Sequence, residues 1–376
     1  MMKYKVFLIA VLLILSSCFL FSYRAEAAEI DHFDNSVEEL KNSVDDETRE
    51  QMELLGVSDV DMTSIGSLNF NDTLSLIGEW LSESISGPFS ACALLTAIIL
   101  LASLLESYTF SLRYVDTKDI MNIVSSLLII TTLVTPITDL INRSLDIIKG
   151  SASTMLIYIP VMAGIMAFSG HIVSSGGYYA TVMAASQVIA QLSTAFFAPL
   201  LNIFLALSVT SAISERVKLS GICELISKVI KWTLAFAMSI FTAILSIQGV
   251  AANAADSAAS KAVRFTLSSF IPIVGASVSD AYKSIEGSVN LLRSGVGIFV
   301  IIAVMVSILP LVLQIILWQL SVQLAKTIAE TFNVSSTVTV LSSISSVLSV
   351  LLAVIASLTS VFLISSGVLL AIGGGS

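Results

Sequence analysis

Between Lys149 and Glu215 the chain runs for 65 residues without a formal charge. A soluble domain devotes roughly a quarter of its residues to charge in order to stay wetted. Here only 12% of 376 residues are charged and 56% are hydrophobic. A bilayer removes the need for a charged surface, because lipid tails are as apolar as the side chains that face them. One crossing of a hydrocarbon core of roughly 30 Å takes about 20 apolar residues. The interval is therefore too long for one span or even two. These numbers predict an all-α, polytopic helical membrane protein with about seven or eight spans at that spacing.

Charge-free intervals place the spans at about 88–105, 120–141, 151–169, 178–195, 197–213, 232–252, 295–320 and 346–372. The polar, glycine-rich stretch Ser169–Gly177 divides the longest interval. Beyond it the sequence predicts a pair of spans turning near Phe197-Ala198-Pro199, with one long kinked helix as the alternative. Residues 253–294 are more polar, and their uncharged run from Phe265 to Ser279 would be only about 22 Å long as a helix. That is short for a crossing and predicts an interfacial or re-entrant segment.

The net charge of -9 is unevenly placed. Residues 28–86 hold fifteen acidic residues against Lys41 and Arg49, while 87–376 carry a net +2. Before them, Lys3 and Lys5 precede the apolar run Val6–Phe21, and Ala25-Glu26-Ala27 offers small residues to a signal peptidase. This reads as a signal peptide over 1–27 cleaved between Ala27 and Ala28. A lipoprotein box ending at Cys18 and an uncleaved anchor are the alternatives. Residues 28–86 then form an acidic extracytoplasmic helical segment, followed by a multi-span domain over 87–376. Within the segment Val37, Leu40 and Val44 share a helical face, and Asp45-Asp46-Glu47 opens a second helix. A third helix, capped by Asn71 or Asp72, would place Leu74, Ile77, Leu81 and Ile85 on one face, with Trp80 as an interfacial anchor. With the segment exported, Arg113 and Lys118 lie in the cytoplasm, as does the basic loop of Arg216, Lys218, Lys228 and Lys231.

Chemistry has few places to reside. The acidic balance argues against nucleic acid, which needs a basic surface. The two histidines, His32 and His171, and the dispersed Cys18, Cys92 and Cys223 form no metal-ligand spacing. No Ser–His pair, His-Glu-x-x-His site or Walker-type phosphate loop is present in the sequence. The reading is therefore a protein that is not an enzyme, with no cofactor, no metal and no catalytic residue. Intramembrane polarity is the remaining signal. Ser342, Ser345, Ser346 and Ser349 form a hydroxyl stripe, and Gln314 lies in the preceding span. They are candidates for a hydrated path, or for hydrogen bonds between closely packed helices.

Two motifs carry a resemblance. Ser246-Ile247-Gln248-Gly249 closes a span, and Phe270-Ile271-Pro272-Ile273-Val274-Gly275 follows about twenty residues later. In this order, after an export signal and a short acidic segment, the chain resembles the stage III sporulation protein AE family along essentially its whole length. The motif positions are Gln248, Gly249, Phe270, Pro272 and Gly275. The resemblance implies a multi-pass protein of the mother-cell membrane around the forespore, within a channel complex that joins the two cells. It implies as partners the other stage III sporulation A-operon proteins, including an ATPase, and through them stage II sporulation protein Q. A pore within one chain and a pore between copies of a homo-oligomer are both compatible with it. A free-standing permease for a small solute is the alternative reading of the same spans.

Overall fold

The computed structural model describes residues 35–57, 60, 70–112, 116–169, 171–213, 220–270 and 275–372. The expected signal region, with Cys18, Ala27 and Ala28, lies outside the described residues, as does Pro272. Among the described residues every regular element is helical.

The acidic segment forms two short helices, α1 over residues 35–43 and α2 over Asp46–Leu54. Leu40 and Val44 point inward, buried as their one-turn spacing predicts. Asp45 is the N-cap of α2 and its carboxylate accepts the Thr48 amide at 2.9 Å. Asp46 and Glu47 in the first turn complement the helix dipole. Gly56, at φ 80°, closes the helix in the left-handed region that glycine enters without a Cβ clash.

The remaining chain is a bundle of long helices: α3 (Phe70–Leu112), α4 (Asp116–Phe168), α5 (Ile172–Gln191), α6 (Ala198–Ile213), α7 (Ser220–Phe270), α8 (Gly275–Thr331) and α9 (Ser335–Ile372). Five helical stretches are long and apolar enough to cross a membrane: Asn71–Leu105, Ile123–Phe168, Gly221–Gln248, Gly287–Thr331 and Ser335–Val368. The central helix is α9, which packs on α4, α6, α7 and α8. Its inward residues include Leu341, Ile344, Val347, Leu348 and Leu351, all buried. Burial of this kind against lipid-like surroundings adds little hydrophobic free energy, so close packing and interhelical hydrogen bonds must hold the bundle.

The expected spans 120–141 and 151–169 are joined in one uninterrupted helix, α4, which runs through both Pro136 and Pro160. Its 53 residues correspond to about 80 Å. A single bilayer core accounts for only about 30 Å of that. Asp139, Arg143, Asp146 and Lys149, near its middle, all lie on exposed positions. These charges sit on one solvated face and do not mark a loop.

Further expectations are refined by the structure. No turn forms near Phe197; a π-helical stretch, Leu192–Phe197, links α5 directly to α6. Pro199 near the start of α6 has no N–H to give, and a wider π turn is a recognised way to absorb such a break in the ladder. Residues 253–294, expected to be interfacial or re-entrant, include the end of α7 and the start of α8, and most of them lie between the apolar stretches that end at Gln248 and begin at Gly287. The break around Ser169–Gly177 is shorter than expected, since helix resumes at Ile172 and runs through Gly176 and Gly177. Trp80 is buried at 5% exposure and serves as a packing residue, whereas Leu74, Leu81 and Ile85 on the same helix are exposed.

Candidate functional site

The acidic segment docks on the flank of the bundle, midway along α4 and α8. Thr48, 3% exposed, shares a 2.7 Å hydrogen bond with Ser307 of α8. Ser307 also donates to the Asp45 carboxylate at 3.3 Å, and Thr154 of α4 donates to the Ser43 carbonyl at 3.2 Å. Three polar contacts thus tie the docked segment to two different membrane helices. The capping of α2 and its docking share one carboxylate, because Asp45 Oδ2 accepts from both Thr48 and Ser307.

Beneath this contact lies a cavity of about 400 Å³, enclosed by α2, the start of α3, the middle of α4 and the middle of α8. Asp45, Glu47, Glu83 and Asp146 give it an acidic lining, with Arg143 as its cation. Gln314, expected from the sequence as part of a polar path, lines the same cavity, and its side-chain oxygen accepts from Arg143 at 3.4 Å. Sequence reasoning missed Arg143, Thr48 and Ser307. The available signal was an arginine between two apolar runs on one helix.

The serines divide by position. Ser345 and Ser349 face α8, where Gln319 donates to their hydroxyls at 2.7 and 3.2 Å. Ser342 is half-buried and Ser346 is exposed. None of the stripe's serines lines the cavity on which Gln314 sits. Two of the stripe's hydroxyls stitch α8 to α9, the arrangement expected of interhelical hydrogen bonding.

The described motif positions lie along the second half of α7 and at the start of α8. Gln248 of α7 accepts from Thr181 of α5. The next residue, Gly249, continues the α7 backbone; Phe270 ends that helix and Gly275 begins α8. Two turns beyond Gln248, Asp256 is 2% exposed, and its two oxygens accept the Val173 and Ser174 amides at 3.0 and 2.9 Å. The pairs 173–256 and 181–248 fix α5 and α7 as antiparallel neighbours. No group of three or more potential metal ligands occurs among the described residues. Cys92 and Cys223 are free thiols, the latter buried beside Ser208.

The family model for stage III sporulation protein AE matches residues 59–373, well over half of the chain. The chain belongs to the stage III sporulation protein AE family. That confirms the family suggested by the two motifs and gives the protein a role in sporulation. Stage III sporulation protein AE of Bacillus subtilis (strain 168) is 27% identical over 158 residues, which cover 42% of this chain and 40% of that relative. The matched stretch thus spans less than half the length of the curated relative. No solved structure matches the chain. The family match begins at residue 59, so α1 and α2, which cover the cavity, precede it.

Proposed function

We propose that this chain is a non-catalytic membrane subunit of the sporulation channel complex connecting mother cell and forespore, seated in the mother-cell membrane and needed for forespore development after engulfment. The observation that carries this reading is the family match over residues 59–373. The helix lengths support it. At about 1.5 Å per residue, α4, α7 and α8 outrun a single hydrocarbon core by a factor of two or more. Helices of that reach extend out of their own bilayer toward the space between two membranes. The partners in this reading are the other stage III sporulation A-operon proteins. An ATPase among them supplies energy, and stage II sporulation protein Q is met through them from the forespore side. The acidic flank formed by α1 and α2 offers these partners a charged extracytoplasmic surface.

Deletion of the gene tests the proposal. Vegetative growth stays normal and spore yield collapses, with development stopping after engulfment. Normal spores from the deletion strain would reject it. A second reading, a free-standing small-solute permease, draws on the cavity, whose volume of about 400 Å³ suits a small polar molecule. Transport by the purified protein alone in proteoliposomes would favour that reading over the first.

A further inference from the structure

Arg293 is the largest fully buried side chain in the described residues, at 2% exposure. It stands where the charge-free part of α8 begins, running from Ser294 to Ala325. A cation at such a position ordinarily extends its stem toward the interface and keeps its head in water. This one turns inward. Its Nε and Nη1 donors have no hydrogen-bond partner, and no carboxylate of the described residues pairs with it. A buried charge left unpaired is strongly destabilising in a low-dielectric interior. The arrangement is therefore incomplete unless something negative is added.

The surroundings supply further donors. Tyr158 of α4 is fully buried and within electrostatic reach of Arg293, and Ser366 of α9 lies beside the Tyr158 hydroxyl. The Tyr158 Oη and Ser366 Oγ atoms are both buried without an acceptor. Next to them, Tyr178 of α5 donates to the Ser365 carbonyl at 3.3 Å and closes that side. Three helices thus place a buried guanidinium within electrostatic reach of two buried, neighbouring hydroxyls. Buried polar groups are nearly always satisfied, and a cluster that is not marks an unseen water or ion.

We infer that Arg293, Tyr158 and Ser366 form a binding site for a small inorganic anion, with chloride as its simplest occupant. The guanidinium is charged and can only donate, which selects for negative charge, and each hydroxyl can add a donor. Exposures of 2% or less at all three residues leave no opening for a bulky organic anion. The bound ion neutralises Arg293 and clasps α4, α8 and α9 together. It is a role separate from the polar cavity, whose lining does not include these residues.

The test measures thermal unfolding of the purified full-length protein in detergent or nanodiscs, in sodium chloride against sodium gluconate at equal ionic strength. The wild type is expected to gain stability with chloride in a saturable way. At a hundredfold excess over the dissociation constant the folded-to-unfolded ratio rises about a hundredfold. Arg293→Gln is expected to lose this response and to match or exceed the wild type in gluconate, because no charge is then left unpaired. Tyr158→Phe is expected to weaken the chloride response several-fold while keeping the fold. An identical wild-type profile in the two salts would overturn the proposal, as would a full chloride response in Arg293→Gln. Should Arg293→Gln fail to fold, an undiminished chloride response in Tyr158→Phe would overturn it.

Discussion

Asp256 on α7 caps a helix to which it does not belong, holding the Val173 and Ser174 amides of α5 at 3.0 and 2.9 Å. The first N–H groups of a helix have no partner within it, and they carry the positive end of the dipole. A carboxylate at 2% exposure is tolerable there because both oxygens are satisfied. The pair closes the end of the bundle where α4 stops at Phe168 and α5 starts at Ile172. Asp256→Ala removes both acceptors and should cost about 1–2 kcal/mol. It is expected to lower the unfolding midpoint in detergent, with Asp256→Asn losing less because its amide oxygen still accepts one bond. Equal midpoints for wild type and Asp256→Ala would contradict the capping role.

Docking of the acidic segment is checked by crosslinking. The Thr48 and Ser307 hydroxyls are 2.7 Å apart, close enough for cysteines at the two positions to reach disulfide geometry with small adjustment. Thr48→Cys with Ser307→Cys is expected to crosslink readily under mild oxidation and shift the protein on a non-reducing gel. Thr48→Cys paired with Gln319→Cys, three turns farther along α8, is expected not to. Failure of the first pair would detach α2 from the bundle and open the cavity below it.

The serine stripe yields a labelling contrast. Ser345 and Ser349 are engaged by Gln319, whereas Ser346 is exposed. Ser345→Cys is expected to resist a small aqueous thiol reagent. If Ser345→Cys and Ser349→Cys both label rapidly in membranes, these hydroxyls line water rather than a helix seam. Loss of both hydroxyls should cost about 1 kcal/mol per bond, read as a lower unfolding midpoint of Ser345→Ala/Ser349→Ala.

Much of the architecture is legible in the chain because lipid leaves a compositional mark. Long uncharged runs located the apolar helices, and the caps and acids around Asp45 located α2. What composition does not show is whether two apolar runs are parts of one helix. Asp139, Arg143, Asp146 and Lys149 read as a boundary when only the linear order is considered. Their spacing of four, three and three residues places them on one helical face, which is how α4 carries them without interruption. Trp80 was misassigned for a related reason. Aromatic residues near a span suit the interface, but this one is buried and lines the cavity that the docked acidic segment also lines. The acidic cavity and the Arg293 cluster are assembled by residues far apart in sequence, and no local pattern announces either.

Sites known from motif alone fared differently. Gln248 finds a partner in Thr181, and Phe270 and Gly275 bracket the α7–α8 connection.

Helices longer than one bilayer define this protein, and α4 is the clearest instance. Spin labels on Ile123→Cys and Phe168→Cys, both exposed positions, would be attached to an otherwise cysteine-free protein in nanodiscs. Pulsed dipolar spectroscopy across that uninterrupted helix should give a separation of about 60–70 Å. A separation of about 10–20 Å, as for the adjoining ends of two antiparallel spans, would contradict it.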